Sequence, residues 1–540
     1  MFPKIRYSLA LISALFTSFS NAQIQPESLI QALPKGTSAS FIAKNLDTNE
    51  IITQYQSDLF MLPASTQKVF TALAAKLALP EDFRFQTALL TNGKIENNVL
   101  KGDLIAKFSG DPELTSGQLS QLIYELKKQG VGKIEGNLIL DTAVFASHDK
   151  ASGWIWNDLT MCFNAPPAAI NVDHNCFYVN LNADQPIGEF AKVDVPSAYP
   201  VQVFSSAYVV DKNDAPYCQL DVVVHDNNRY QIKGCLARQN KPFGLSFSVQ
   251  DPTNYGANLI TTYLRRAGIE FSGKIQAPLG EQKGTILAEH LSEPLQTLLK
   301  KMMKKSDNQI ADALFRRVAN HLQNRPATFQ LSSFVVRNLL KTKAGVNFNN
   351  SVMADGSGLS RHNQVSAETM LKALEYIAQN ETSLQLFETF PIAGVDGTIS
   401  GRGSISAEPL AKNIMAKTGS LKGVYNLAGF MKNAKGQRIA FVQFINGYST
   451  GELESKTKRA PLVNFEQQFI KIGLIALFLF MPSTVDVNGA FLLQYSCNLV
   501  LRVILLVQQK PLTPDKVRLQ SLALDKPHSP LYEKHQSCFL

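Results

Sequence analysis

A chain of 540 residues exceeds what one compact core organises, so two or three domains are expected. With 45% apolar and 18% charged residues, the composition is that of a soluble globular protein. The formal charge of +9 has no basic tract or aromatic interleaving behind it, which argues against nucleic-acid binding and implies at most weak attraction to anionic membranes or polymers.

The amino terminus sets the compartment. Lys4 and Arg6 precede the apolar run 9–19, and Ser20-Asn21-Ala22 follows, the pattern of a secretory signal cleaved after Ala22 (residues 1–22). The apolar run is short for a retained membrane span. Cys162 lies close in sequence to Cys176, and Cys218 to Cys235, a spacing that suits either two local disulfides after export or four buried thiols. No Cys or His spacing resembles a metal site, and no cofactor is implied.

After a lead-in, alternation predicts a strand over 38–44, a turn over 45–50 and a returning strand over 51–55. Pro63 then suits helix entry, and 65–79 is a good helix former with Phe70, Leu73 and Leu77 as an apolar stripe. Ser65 and Lys68, three apart, share a face of that helix. A serine hydroxyl becomes a nucleophile once something takes its proton, and a lysine can do so when burial or a nearby cation keeps it neutral. The pair therefore suits acyl transfer without histidine.

From 84 to 283 the pattern changes to short strands broken by Gly, Asp, Asn and Pro, with one helix expected around 119–128. Within it, 153–158 places Trp154, Trp156 and Asp158 in a loop, where Asp158 is a candidate for facing substrate. Helices resume at Pro294, and the polar link Lys304 to Asn308 separates them from a helix over 309–322. A glycine-rich turn at 355–361, a helix from Ser366 and an ordered loop at 390–398 follow. Strands at 414–418, 425–431 and 438–445 and a helix over 461–470 close the unit. Residues 471–540 depart from this pattern, apolar at first and then polar and irregular, and are read as an atypical C-terminal tail.

Ser65-Thr66-Gln67-Lys68 on a helix, Ser306-Asp307-Asn308 between two helices and Lys417-Thr418-Gly419 on a strand form an ordered set. At the last, a strand edge offers backbone groups and Gly419 permits close approach of a ligand. The set resembles the serine penicillin-recognising enzymes. The long span between Lys68 and Ser306 narrows it to the class C low-molecular-mass penicillin-binding proteins, the D-alanyl-D-alanine carboxypeptidase/endopeptidase (penicillin-binding protein 4, peptidase S13) family. Residues 109–112, 153–158, 355–361, 394–397 and 417–423 extend the likeness over about 23–470.

The resemblance implies an α+β penicillin-binding, beta-lactamase-like transpeptidase fold, an antiparallel sheet flanked by helices with strand-rich insertions. It places the catalytic domain at 23–83 and 284–470, a second domain at 84–110 and 183–283, and a third at 111–182. It implies catalytic roles for Ser65, Lys68, Ser306 and Asn308, and substrate contacts from Lys417, Thr418, Gly419, Ser420 and Asp158. The partners it implies are peptidoglycan stem peptides and cross-links, with beta-lactams as acylating inhibitors, in the periplasm as a soluble or loosely membrane-associated protein. A serine beta-lactamase and a non-catalytic cell-wall-binding scaffold are the rival readings.

Overall fold

The computed structural model describes residues 26–451 and 459–475. The expected signal segment and nearly all of the tail lie outside these residues, as do Cys497 and Cys538. At the centre is a five-stranded sheet built from both ends of the described chain. Its strands are β1 (Ser38–Asn45), β2 (Ile51–Tyr55), β3 (Ile414–Leu421), β4 (Val424–Lys432) and β5 (Arg438–Asn446), in the order β3-β4-β5-β1-β2. Every pairing is antiparallel, and β1 runs in register with β5 from Ser38↔Asn446 to Asn45↔Ile439.

The two-residue period of a strand gives each face its own core. Ala39, Phe41, Ala43, Ile439, Phe441 and Ile445 pack with Leu462, Phe465 and Phe469 of the terminal helix α6 (Ala460–Ile475). Ile42, Ala440, Val442 and Phe444 point the other way, into a helical layer. That layer holds α1 (Lys68–Ala78), α2 (Leu295–Lys305), α3 (Asn308–Gln323), α4 (Phe329–Ala344) and α5 (Ala367–Gln379). Phe70 and Leu73 of the expected stripe are buried there, and Leu77 packs at its edge. Helix α4 was not among the expected elements.

Arg402, whose role the sequence leaves open between a structural ion pair and substrate contact, is structural. Its guanidinium pairs with Glu466 of α6, which also accepts from Ser404 at 2.5 Å and Gln443 at 2.9 Å. Glu466 is buried, and Arg402 draws its carboxyl below the usual range against the cost of burial.

The span from Gln86 to Leu291 folds into four further sheets. Strands Leu104–Phe108 and Leu138–Asp141 pair in parallel, as do Val99–Lys101 and Lys133–Ile134, while Cys176–Asn182 pairs with Lys192–Asp194 and Phe243–Ser248. Residues 133–141 thus share sheets with 86–108 and 270–291, across the expected divide at 111. We propose instead that the insertion divides near residues 142–175 and again near 249. Both cysteine pairs form disulfides, Cys162–Cys176 and Cys218–Cys235.

One helix in the insertion departs from expectation. Besides Ser116–Lys128, the segment Pro252–Arg266 is helical, capped by Asp251 and begun by Pro252. Asn254, Gly256, Asn258 and Thr261 disguise it in sequence, while Tyr255, Leu259, Ile260, Tyr263 and Leu264 form its buried face.

Replacing Glu466 with Ala strands the Arg402 guanidinium without its counter-charge. The expected cost is about 3–5 kcal/mol, read as a lower midpoint in denaturant unfolding at neutral pH.

Candidate active site

The stretch before α1 is not α-helical from its start. Ala64–Gln67 forms a 3-10 turn, with Ala64 at φ 47°, and the α-helix begins at Lys68. This turn is seated on the edge strand β3, where a Cβ on Gly419 would lie 2.5 Å from the Pro63 carbonyl oxygen. The group that approaches Gly419 is therefore protein backbone, which is why a side chain is excluded there. Asn426 on β4 donates to the carbonyls of Leu62 and Pro63, both at 2.8 Å, and clamps the turn to the sheet.

Three oxygens surround the Lys68 ammonium nitrogen: Asn308 Oδ1 at 2.6 Å, the Ser357 carbonyl at 2.7 Å and Ser65 Oγ at 3.0 Å. Two of these can only accept. A neutral amine has two N–H bonds and one lone pair, so the two carbonyl-type oxygens take the hydrogens and the lone pair is left for the Ser65 hydroxyl. The orientation of the Asn308 amide is set by its own nitrogen, which donates to the Phe163 carbonyl at 2.7 Å. Phe163 belongs to the insertion, so that lobe reaches the centre of the site.

Lys68 is fully buried, and burial lowers its pKa to about 8 against the opposing pull of Asp312, Asp355 and Asp307. Lys417 is also fully buried. Burial first, then the nearby Lys68 charge, drives its pKa well below the ordinary lysine value. Its nitrogen lies 2.9 Å from Ser306 Oγ and 3.0 Å from the Thr418 carbonyl. Ser306 occupies the left-handed cap of α2 at φ 61°, and Asp307 caps α3, so the link between helices holds Ser306 beside Lys417 and Asn308 beside Lys68. Thr418 Oγ1 meets Thr398 Oγ1 at 2.8 Å, tying β3 to the 390–398 loop.

β3 stands at the edge of the sheet, so one of its sides faces away from β4. Ala416 N–H donates outward to Pro391 O at 3.0 Å, and the two-residue period turns the N–H groups of Thr418 and Ser420 to that same edge. The structure thus gathers Ser65, Lys68, Ser306, Asn308, Lys417 and Thr418, with exposed Ser420 at the strand's end. Asp158 sits apart from this hydrogen-bonded cluster, half-buried in a 3-10 turn. Burial raises its pKa and the charge of Arg361 opposes that rise. Arg361 in turn donates to the Lys422 carbonyl at 3.2 Å.

Two buried acids lie close by: Asp312, which carries no signal in sequence spacing, and Asp355, which opens the glycine-rich turn expected at 355–361. Asp355 accepts from Gly358 N–H, Asn363, Ser360 N–H and the Trp154 indole at 2.7–2.9 Å, which organises the whole glycine-rich turn.

The profile of the D-Ala-D-Ala carboxypeptidase 3 (S13) family matches residues 22–469. This chain belongs to that family. It is 64% identical over 457 residues, 85% of this chain and 95% of the other, to D-alanyl-D-alanine carboxypeptidase DacB of Haemophilus influenzae. A D-alanyl-D-alanine carboxypeptidase of Actinomadura sp. is 26% identical over 430 residues, 77% of this chain and 79% of the other. The crystal structure of Haemophilus influenzae penicillin binding protein 4 (dacB) superposes with TM-score 0.81 at 64% identity, covering 82% of this chain and 98% of that one. The same protein complexed with a novel beta-lactam gives TM-score 0.77 at 61% identity over the same shares. The S13 fold, α+β with a helix-flanked antiparallel sheet, is the fold described above.

A Cβ on Gly358, which lies at φ 88°, would overlap the Ala64 carbonyl directly before Ser65. The Gly358→Ala variant should lose acylation by penicillin by roughly a hundredfold, read by time-resolved mass spectrometry.

Proposed function

We propose that the chain hydrolyses the terminal D-alanyl-D-alanine bond of peptidoglycan stem peptides, and the peptide cross-links between them, through an acyl-enzyme on Ser65. The enzyme class is that of the family, a serine-type D-alanyl-D-alanine carboxypeptidase, and the substrate follows from the D-alanyl-D-alanine carboxypeptidases it is similar to. The observation that supports these residue roles is the Lys68 amine, with two N–H directions taken by fixed carbonyls and its third aimed at Ser65 Oγ.

Ser65 Oγ attacks the carbonyl of the penultimate D-alanine while its proton passes to Lys68 Nζ. The tetrahedral oxyanion lies between the N–H of Ser65, at the start of its helix, and the outward N–H of Ser420, a pair of donors of the kind that supplies several kcal/mol. Ser306, beside Lys417 at 2.9 Å, gives its hydroxyl proton to the leaving amine and is reprotonated with the one that Lys68 took from Ser65, so Lys68 returns to the neutral form. Lys417 contributes positive potential, and the Thr418 and Ser420 hydroxyls hold the peptide's terminal carboxylate. Asp158 faces the amino-bearing side chain of the stem peptide. Water then attacks the acyl carbon and frees Ser65. Where the leaving amine belongs to a cross-link, the same steps are endopeptidase cleavage, and a beta-lactam ring acylates Ser65 as the peptide amide does.

The periplasmic setting and a loose association with the membrane belong to the same proposal. It draws support from the 1–22 signal pattern and from two disulfides, which persist in an oxidising compartment. Among the described residues no helix is long and apolar enough to cross a membrane.

Cross-linked muropeptides should be cut, and D-alanine released, by the wild type and not by Ser65→Ala, with penicillin recovered as an ester on Ser65. Rapid turnover of the antibiotic would point to a lactamase instead, and inertness toward both substrates to a scaffold. The reactive form is the neutral amine of Lys68, whose pKa is about 8. Acylation should therefore rise with pH through about 8 and fall roughly tenfold per unit well below it.

A further inference from the structure

We propose that Asp312 is a positioning residue for Lys68: it fixes the carbonyl that receives one amine hydrogen, and its buried charge sets how readily the amine releases its proton. The inference rests on the reading of Lys68 as the base.

Asn308 and Asp312 are one turn apart on α3, so a single helix governs both oxygens that hold the amine. Asn308 supplies its own Oδ1. Asp312 works at one remove: its Oδ1 accepts the N–H of Gly356 at 2.7 Å and of Ser357 at 3.0 Å. The Ser357 carbonyl then accepts from Lys68 at 2.7 Å, and the Gly356 carbonyl accepts from Thr71 of α1 at 2.7 Å. Helix α1, the glycine-rich turn and α3 are thereby locked into one triangle, with the Lys68 nitrogen at a corner.

Pinning two amides requires one oxygen, and the side chain of Asn has one. Asp312 carries a second, Oδ2, which is buried, and the Ser357 side chain bears on the same carboxyl. Keeping a carboxylate in a dry interior is costly, so its retention calls for a gain that a neutral amide would not bring. That gain is negative charge next to a buried ammonium.

The groups facing it are Lys68 on α1, Asp355 in the turn, Arg316 on α3 and Asp307 at the cap of α3, with Lys417 on β3 behind Lys68. Arg316 is itself held by Asp149 at 3.1 Å. Burial, with Asp355, raises Asp312 to about 7, and Lys68 titrates at about 8 with Asp312 first among the charges that retain its proton. The Asp312 carboxylate thus opposes loss of the Lys68 proton. Removing that charge lets the amine lose its proton at lower pH.

The test is the second-order rate of Ser65 acylation by benzylpenicillin, followed by mass spectrometry from about pH 5.5 to 10, in wild type, Asp312→Asn, Asp312→Glu and Asp312→Ala. Wild-type acylation establishes Lys68 chemistry first; its failure would sink the proposed function, not this inference alone. Asp312→Asn keeps the pinning oxygen and should move the midpoint down by at least about 0.5 unit. Asp312→Glu keeps the charge and should hold the wild-type midpoint. Asp312→Ala loses both and should lower the midpoint and cut the plateau at least roughly tenfold. An unmoved midpoint in Asp312→Asn overturns the charge role, and an Ala plateau equal to the Asn plateau overturns the pinning role. Near-UV circular dichroism checks the fold. Should Asp312→Asn not fold, equal midpoints for Ala and Glu overturn the proposal.

Discussion

Two lysine side chains, Lys68 and Lys417, are enclosed without solvent at one end of the central sheet, and the rest of the architecture answers to them. An isolated ammonium in such a place is strongly unfavourable, and two near each other repel as well. Each donates to oxygens held close around it. Asn308 and Ser357 serve Lys68, while Ser306 and the Thr418 carbonyl serve Lys417. The protein thus keeps both amines buried yet hydrogen-bonded, and burial lowers the pKa of each.

This constraint explains the disposition of elements far apart in the chain. The Ser65 turn precedes α1, the Ser306 and Asn308 link joins α2 to α3, and Lys417 lies on the edge strand β3. Gly419 admits the Pro63 backbone, and Gly358 admits that of Ala64. The insertion is more than an appendage, because its Phe163 carbonyl decides which way the Asn308 amide faces and its Trp154 indole bonds Asp355.

Much of this was legible because it is written in local spacing. Three residues along a helix bring Ser65 beside Lys68, period-two alternation marks β1 and β2, and short loops join the disulfide cysteines. What escaped was what depends on burial. Asp312 reads in sequence as one more polar residue on an amphipathic helix, yet three-dimensional packing makes it an interior charge. The Pro252–Arg266 helix is hidden by its Asn, Gly and Thr residues, and its apolar face becomes evident only against a neighbouring layer. The strand pairing within the insertion joins segments distant in sequence, such as 99–101 with 133–134, which no local pattern encodes.

The central sheet is closed by β1 pairing with β5, residues separated by almost the whole described chain. A polypeptide emerging from its amino end carries Ser65 out early, but the strand bearing Lys417 and the one that completes the sheet arrive last. Until then the Ser65 hydroxyl and its neighbour Lys68 lack both the β3 edge and the sheet on which their turn is seated. An enzyme able to dissolve wall peptides is therefore harmless by topology until its final segments are delivered.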